Sequence, residues 1–425
     1  MTVFARVNAQ GCDCCAAEHM SGLITIDDAI ATIIRNASEV PETEKVTLAA
    51  ARGRVLAEPV FSTSAAPPFD NAAMDGYAIN SACLTGDGPW VLSVMNRIAA
   101  GQGNPGSLRS GDAAQIFTGA PMPEGADAVV MQEDVRRTDG AIIVSRKVSA
   151  CAHVRLTGED MGAGAVIMPA GRHLMAREIA ACTAAGSAEV RVRRRVRAAL
   201  LVTGDEVIAP GQARTTSGIW DVNTPMLRAA IETAGIQLLR VETGKDNRAA
   251  LQCQLAELAE HVDLIVTTGG ISVGEEDHVK PALTDLGLHM VFSGVAMKPG
   301  KPVSYGLLGD VHWLGLPGNP LSAFVAWQMF GMVLSRCLSG ATAPHSHRKH
   351  VVLSRPLNHK FGRCELRMAE LSGFDGTGRE LVQFDDTTHS GRVARLPFAD
   401  GVILIPSDVE ELPEGALVEF QPFCD

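Results

Sequence analysis

Aromatic side chains and positive charge are both scarce in this sequence. Phe, Trp and Tyr make up 4% of the residues, and 37 Lys and Arg residues are outnumbered by 48 Asp and Glu, giving a net charge of −11. Single-stranded nucleic acids need aromatic platforms, and duplexes need a basic face. We therefore expect no nucleic-acid partner, and we interpret the arginine-rich run 191–197 as a solvated strand or linker.

Long apolar runs and paired cysteines are also lacking. We find no stretch that approaches the ~20 residues needed to cross a bilayer, and the first residues lack the basic and apolar regions of a signal peptide. We therefore expect no membrane association and predict a cytoplasmic location. The ten cysteines are scattered, and several fall in predicted helices or strands, where a reduced thiol behaves as a small apolar residue.

The cysteine cluster at 12–15 (Cys-Asp-Cys-Cys) is the exception, with His19 nearby. A metal site would need further ligands at paired spacing. We therefore favour an exposed, disordered tail over residues 1–20, with metal binding as the alternative.

The chain is too long for one hydrophobic core. Its 425 residues are 46% hydrophobic and 20% charged, which is ordinary for a globular protein of two to four domains. Short strand-forming runs separated by Gly, Pro and Asp predict β-domains between about 90 and 170 and again after 351. Strands alternate with helices from 198 to 335, which is typical of a parallel, doubly wound α/β sheet.

Helices are also predicted outside the α/β region. They lie at 27–36, where Thr25 is the N-cap, at 48–56, and at 173–185, which Gly186 ends. The segment 341–350 holds three histidines, and we interpret it as a polar linker, with metal binding as the alternative.

The stretch 263–319 is the centre of the functional argument. A buried strand is predicted at 264–266, followed by the turn 267–277 (Thr-Thr-Gly-Gly-Ile-Ser-Val-Gly-Glu-Glu-Asp) and a helix that ends at Gly287. A glycine-rich turn between strand and helix exposes backbone N–H groups beside the positive end of the helix dipole. The turn can therefore hold an anion.

Two further turns strengthen this interpretation. The stiff turn 298–302 (Lys-Pro-Gly-Lys-Pro) supplies two cations, and 316–320 (Leu-Pro-Gly-Asn-Pro) joins another strand to another helix. Such turns also occur merely to pack a helix on a sheet. Because three of them converge in one predicted sheet, we favour a site for a charged, phosphate-bearing ligand.

Ligands of doubly wound sheets lie beyond the carboxyl ends of the strands. This rule selects Glu206, which follows the strand at 198–202, and Asp277. It excludes Asp263, which precedes its strand. Helices in this region are predicted to begin at caps formed by Asn223 and Asp246.

A proline-rich loop carries two aspartates outside the α/β region. Asp70 and Asp75 lie among Phe69, Met74 and Tyr77, which we expect to anchor the loop. A firmly held acidic loop is often a site, while an ordinary surface turn is the alternative because Asp and Asn favour turns.

Several stretches follow one another in the order of a known family: 70–78, 118–121 with 123 and 125–129, 158–160, 203–206, 269–277, 298–302 and 316–320. Through them the chain resembles the molybdopterin molybdenumtransferases of the MoeA type, which are related to the gephyrin E domain. The resemblance covers about residues 21–340 and is far more specific than any single motif. After residue 350 the match is looser.

The resemblance implies a domain organisation, a reaction and partners. The expected domains are a tail at 1–20, an elongated linker domain at 21–60 and 150–195, an inserted β-domain at 61–149, an α/β molybdopterin-binding domain at 196–340, and a C-terminal β-barrel domain at 341–425. The family is homodimeric and inserts molybdate into adenylylated molybdopterin, releasing AMP and using a divalent cation such as Mg²⁺. Protein partners would be the upstream adenylyltransferase and molybdoenzyme maturation proteins.

The resemblance also assigns residues to roles. It gives Glu206 and Asp277 to metal or substrate positioning and Lys298 and Lys301 to anion binding. The second face of the cleft is expected at Asp70, Asp75, Thr118 and Asp160. Ligand binding is expected at Thr203, Gly204, Gly269, Gly270, Ser272, Gly274, Pro317, Gly318 and Asn319, and at Asp246, for which a helix cap is the alternative.

Three positions depart from the family pattern. Gly294 stands where a lysine is usual, His153-Val154 precedes Arg155 where Asn-x is usual, and Asp400 replaces a common Asn. Gly294 keeps open a non-catalytic scaffold, as in the gephyrin E domain. A molybdopterin adenylyltransferase is the other alternative, against which the additional β-domains argue.

Overall fold

The computed structural model describes residues 22–103, 105–204, 206–213, 216–233, 235–245, 247–271, 277–343, 348–386 and 391–423. The predicted tail at 1–20 lies outside these residues. The chain forms two compact units. The first contains Met1–Glu44, Gly53–Ala57 and Val192–Asp425, and the second contains Lys45–Arg52 and Glu58–Arg191. The finer division at the predicted domain boundaries stays a prediction.

The α-helices within the described residues are α1 (Ile26–Asn36), α2 (Ala176–Ala184), α3 (Asn223–Ile231), α4 (Arg248–Ala259), α5 (Val279–Asp285), α6 (Pro320–Ala326) and α7 (Met332–Leu338). The cap predicted for α1 is confirmed, because the Thr25 hydroxyl accepts from Asp28 N at 3.0 Å. For α4 the N-cap is Asn247, whose side chain accepts from Ala250 N, while the predicted cap Asp246 lies outside the described residues.

The predicted helix at 48–56 is wrong. A strand ends at Thr47, one 3₁₀ turn covers Leu48–Ala50, and the following chain is irregular. Gly53 has φ +75°, a left-handed conformation that ends a helix rather than continuing it. The apolar residues of 48–56 lie mostly in an irregular segment, and their spacing alone does not distinguish it from a helix.

The second unit is organised by a β-sheet, as predicted. Strands from β1 to β12 are β1 (Thr43–Thr47), β2 (Val60–Phe61), β3 (Asn71–Ala72), β4 (Gly76–Ile79), β5 (Trp90–Ile98), β6 (Asp112–Ile116), β7 (Ala128–Met131), β8 (Val135–Thr138), β9 (Ala141–Val144), β10 (Val154–Arg155), β11 (Val166–Met168) and β12 (Glu189–Arg193). The main sheet has the order β7-β4-β6-β5-β9-β8. Alternating residues such as Ile79 and Ile142 fill its core.

The first unit begins with the α/β sheet. Its strands are β13 (Val196–Val202), β14 (Val207–Ile208), β15 (Ile219–Trp220), β16 (Ile236–Thr243), β17 (Leu264–Thr268), β18 (His289–Ser293), β19 (Met297–Lys298), β20 (Ser304–Leu308) and β21 (Val311–Leu316). The main order is β16-β13-β17-β21-β20-β18. The first four strands are parallel, and β20 and β18 add an antiparallel edge.

Alternate residues of β13 enter separate cores on the two faces of this sheet. Leu200 packs with Trp327 on one face, while Leu201 packs with Trp313 on the other. Both faces are therefore covered by helices, which confirms the doubly wound prediction. The arginine-rich run enters this sheet, and Arg194 pairs with Glu42 and Asp263.

One helical stretch, Pro320–Leu338, is long and apolar enough to span a membrane. This finding corrects the expectation that no stretch approaches the length needed to cross a bilayer. It consists of α6, a π-helical turn at Trp327–Gly331, and α7. Its most apolar window is 83% buried inside the protein. This is the environment of a core helix in the protein interior.

The C-terminal part of the first unit is a barrel, as predicted. It contains β22 (Lys349–Leu353), β23 (Leu357–Asn358), β24 (Cys364–Phe374), β25 (Glu380–Phe384), β26 (Gly401–Ile405), β27 (Glu411–Leu412) and β28 (Leu417–Pro422). The cycle closes through β24-β25-β22-β28-β26 and back to β24. The strand β19 adds to β24 in parallel, so the barrel reaches the turn that begins with Lys298.

Candidate anion-binding site

A cleft of about 780 Å³ lies at the carboxyl ends of β13, β17 and β21 in the first unit. It is bounded by the three turns that the sequence singles out. Its lining includes Thr203, Gly204, Glu206, Gly269, Gly270, Asp277, Lys298, Lys301, Pro317, Gly318 and Asn319. The structure therefore brings these predicted residues together, while Ser272 and Gly274 lie outside the described residues.

The glycine turn after β17 needs its glycines. Gly269 has φ +87° and Gly270 has φ +59°. A Cβ atom on Gly269 would lie 2.6 Å from the carbonyl oxygen of Thr203. The bare backbone can therefore approach β13 and border the cleft, and α5 begins just beyond Asp277. This arrangement suits an anion held by backbone N–H groups.

Asn223 braces the turn after β21, a role that sequence reasoning missed. Its Nδ2 donates to the Thr268 hydroxyl at 3.0 Å and to Gly318 O at 2.7 Å. The Thr268 hydroxyl in turn donates to Pro317 O at 2.9 Å. The predicted cap role of Asn223 is wrong, because Asp221 accepts from Thr224 N instead.

The carboxylates at the two ends of the parallel strands have different surroundings. Glu206 and Asp277 line the cleft. Asp263, at the amino end, accepts from Arg194 at 2.6 and 2.9 Å and from Arg197 N at 2.7 Å. Burial alone would raise the pKa of Asp263, but these hydrogen bonds and the arginine charges outweigh it and lower the pKa. The structure thus gives Asp263 a stabilising role away from the cleft.

The cations of the cleft come from two parts of the chain. Lys298 and Lys301 stand on the predicted turn, and Arg363 reaches the same cleft from the barrel. Lys298 Nζ also lies 3.7 Å from Glu365 Oε1. Arg363 was missed because it is distant in sequence from the turn and belongs to the part of the chain where the resemblance is looser.

Two bulky apolar residues also belong to the lining of the cleft. Ile219 and Trp220 of β15 are 53% and 42% exposed and line the cleft. An exposed indole offers a flat surface to an aromatic ligand. The sequence gives only a weak signal for this surface, a pair of bulky residues just before Asp221.

The residues predicted to bind a metal supply two carboxylates to the cleft. Within the described parts of the chain, no group of three or more His, Cys, Asp and Glu side chains is placed to hold an ion. Glu206 and Asp277 nevertheless supply carboxylate oxygens to the cleft. Two carboxylates suit Mg²⁺, which completes its octahedron with water and substrate phosphates.

The predicted residues of the second unit form local pairs. Asp75 accepts from the Thr118 backbone N–H and hydroxyl, each at 2.8 Å. These bonds hold the pKa of Asp75 below its usual value, with the backbone contact contributing most. Asp160 is exposed, and its backbone N–H donates to Ala66 O at 3.1 Å.

Asp70 has the same kind of partner. It accepts from the Thr157 hydroxyl and backbone N–H, each at 2.7 Å, and these bonds lower its pKa, the hydroxyl most strongly. The expected anchoring of this loop is only partly right. Tyr77 is buried, but Phe69 and Met74 are nearly half exposed, so hydrogen bonds rather than apolar anchors hold the aspartates.

The fold and the cleft define a multidomain protein in which a doubly wound α/β domain with a lysine-lined cleft is followed by a C-terminal β-barrel. Family models match the chain as the MoeA N-terminal region (domain I and II) over residues 24–186, a probable molybdopterin binding domain over 199–336, and the MoeA C-terminal region (domain IV) over 350–423. These matches lie in the same order as the architecture described above.

Individual relatives agree with the family models. The chain is 33% identical over 385 residues to molybdopterin molybdenumtransferase 2 of Mycobacterium tuberculosis, covering 88% of this chain and 93% of the relative. It is 37% identical over 305 residues to the molybdopterin molybdenumtransferase of a Nostoc species, covering 70% of each. The molybdopterin biosynthesis MoeA protein of Pyrococcus horikoshii aligns over 94% of this chain and 100% of that one, with a TM-score of 0.80 and 26% identity. The chain belongs to the molybdopterin molybdenumtransferase family of MoeA proteins, which confirms the resemblance.

Proposed function

We propose that this protein is a molybdopterin molybdenumtransferase of molybdenum cofactor biosynthesis. In this reaction molybdate enters adenylylated molybdopterin, and AMP is released. The observation that carries the proposal is the cleft itself. It joins a glycine turn, two lysines and an arginine at the carboxyl ends of parallel strands, where doubly wound sheets bind their ligands.

The lining divides by chemistry in a way that suits this substrate. The backbone N–H of Gly270 suits donation to a pyrophosphate, while that of Gly269 donates to Leu316 O at 3.3 Å. The ammonium groups of Lys298 and Lys301 carry the charge needed for molybdate and phosphate oxygens. Trp220 lines the cleft and is 42% exposed, which suits contact with a flat heterocycle, either the pterin or the adenine.

Mg²⁺ is part of the proposal. Glu206 and Asp277 would hold it, and a bound cation would supply polarisation of the pyrophosphate oxygens. The protein side chains then bind and orient the two anionic substrates. Because the nucleotide phosphates would complete the coordination of a Mg²⁺ ion held by these two carboxylates, we expect cation affinity to rise when the nucleotide is present.

Other parts of the assignment rest on the family resemblance. We propose that Asp70, Asp75, Thr118 and Asp160 contribute to substrate handling, and that the protein is a homodimer. We also propose a cytoplasmic location on the same basis. The proposed protein partners are the upstream adenylyltransferase and molybdoenzyme maturation proteins. Sedimentation equilibrium of the purified protein tests the dimer, since a monomer mass at all concentrations would contradict it.

AMP release tests the function directly. Purified protein is mixed with adenylylated molybdopterin, Mg²⁺ and molybdate, and we expect AMP to appear only when molybdate is present. Tight retention of the nucleotide without AMP release would instead indicate the non-catalytic scaffold. A protein that neither retains the nucleotide nor releases AMP would contradict the proposal altogether.

Lys298→Ala tests the assignment of the cations. Loss of a charge-assisted contact costs roughly 1.5–3 kcal/mol, so we expect the molybdate concentration for half-maximal AMP release to rise about ten- to hundredfold. Lys349→Ala is the matched control, because Lys349 pairs with Glu380 on the barrel outside the cleft. Wild-type AMP release by the Lys298 variant at limiting molybdate would show that Lys298 does not bind the anion.

A further inference from the structure

The lysine turn is fastened to the C-terminal barrel through its backbone. In the parallel pairing of β19 with β24, Met297 lies opposite Cys364 and Lys298 opposite Glu365. Cys364 N donates to Ala296 O at 3.0 Å. The barrel therefore fixes the point from which the Lys298 side chain departs.

Glu365 is a buried carboxylate beside that side chain. Its side chain is 5% exposed. Oε1 lies 3.7 Å from Lys298 Nζ and 3.2 Å from Arg367 Nε, and Oε2 lies 3.4 Å from His359 Nε2. A carboxylate withdrawn from water needs such compensation, and here Arg367 and His359 supply it from the barrel.

The two barrel groups are themselves held in place. Arg367 Nη2 donates to Asn358 O at 2.6 Å, and His359 Nδ1 donates to Val409 O at 3.0 Å. Their side chains are only 6% and 3% exposed. Lys298, in contrast, is 48% exposed and lines the cleft. The carboxylate thus has a fixed position relative to a lysine that would otherwise move freely.

We propose that Glu365 is a positioning residue for Lys298, directing its ammonium group towards the anion in the cleft. The inference rests on the proposed anion-binding role of Lys298. The Nζ–Oε1 separation of 3.7 Å is longer than a charge-assisted hydrogen bond of about 2.7–2.9 Å. The carboxylate therefore restricts the ammonium group while leaving its donors available to a ligand.

A double-mutant cycle tests this coupling. Glu365→Gln is made in the wild-type and in the Lys298→Ala background, and the half-saturating molybdate concentration is measured by AMP release and by equilibrium dialysis with molybdate. We expect a rise of about fivefold in the wild type and less than about twofold without Lys298, as for directly coupled residues. Glu380→Gln, which removes the ion pair with Lys349 elsewhere on the barrel, should leave the value unchanged.

The alternatives give different results. An equal rise in both backgrounds would mean that Glu365 acts only through the fold and would overturn the proposal. A lowered molybdate requirement would do the same, because it would show competition with the anion. If Lys298→Ala alone has no effect, the assigned role of Lys298 fails, whereas an effect of Lys298→Ala without one of Glu365→Gln refutes only the positioning.

A second variant covers the case in which Glu365→Gln does not fold. Glu365→Asp keeps the charge for Arg367 and His359 but withdraws the carboxylate by one methylene group. We expect it to fold, to raise the half-saturating molybdate concentration, and to lose that effect when Lys298 is replaced by Ala. A folded Glu365→Asp protein with the wild-type molybdate requirement would overturn the proposal.

Discussion

Replacing Gly294 by lysine, the residue usual in the family, is expected to damage the protein rather than improve it. The sequence alone suggests that Gly294→Lys would restore a missing cation and lower the molybdate requirement. The structure gives Gly294 a φ of +100° and places an added Cβ 2.5 Å from Leu23 Cδ2. The new side chain would therefore start from a strained backbone and point towards Leu23, and Gly294 is not among the cleft-lining residues.

The cost can be estimated from the backbone conformation. A non-glycine residue in a sparsely populated region costs about 1–3 kcal/mol, to which displacement of the Leu23 side chain adds. Each kcal/mol corresponds to a fall of about 2–4 °C in melting temperature for a unit of this kind. Gly294 N also donates to Val303 O at 2.8 Å, so the neighbouring chain resists a change of conformation.

Thermal unfolding and molybdate titration of two variants test this reasoning. Gly294→Ala carries the backbone cost without the charge, and Gly294→Lys carries both. We expect both to melt several degrees below the wild type, and the lysine variant to need no less molybdate than the alanine variant. An alanine variant with the melting temperature of the wild type would refute the backbone argument. A lysine variant with a lower molybdate requirement would refute the conclusion that the new side chain points towards Leu23.

Four further variants probe other contacts. Asn223→Ala should raise the substrate KM severalfold, because it removes the two donors that brace the turn after β21, and AMP-release kinetics at varied nucleotide measure this. Trp220→Ala should weaken nucleotide binding by about 1–3 kcal/mol, the usual worth of a base stacked on an aromatic ring, with Trp220→Phe retaining most of it in calorimetry. Asp75→Asn should reduce kcat without changing the melting temperature, which activity assays beside thermal unfolding will show. Asp263→Ala should lower the free energy of unfolding by roughly 2–4 kcal/mol with AMP release per folded molecule unchanged. The pKa of Asp263 is lowered in the folded protein. The destabilisation by Asp263→Ala should therefore have its full size above the unfolded pKa of about 3.9, and it should diminish as the pH falls through the folded pKa.

Much of the α/β unit could be predicted because its local signals agree with one another. The run 264–266 is apolar, β-branched and followed by glycines, so strand, turn and helix are all indicated. The rule that ligands lie at the carboxyl ends of strands then distinguishes Asp277 from Asp263 on the sequence alone. The structure places the first at the cleft and pairs the second with Arg194.

What the sequence could not predict are contacts between distant segments. Asn223 looked like a helix cap, yet its side chain bonds to Thr268 and Gly318. Arg363 reaches the cleft only because β19 pairs with the barrel. The helix expected at 48–56 failed for a related reason, since helical propensity is a weak prior that the surrounding structure overrides. These three cases share one cause: local patterns carry no information about which segments meet.

The pairing of β19 with β24 gives the C-terminal barrel a part in the chemistry. The α/β sheet supplies the glycine turn and the acids, but Lys298 stands on a strand that the barrel completes. A change inside the barrel can therefore alter anion binding without touching the cleft. The effect should be greatest at residues such as Glu365 whose contacts reach Lys298, and least in the part of the barrel core that packs on itself, which includes Val382 and Ile403. The barrel thus supports Lys298 and also brings Arg363 to the cleft, and its contribution should be measured as molybdate affinity.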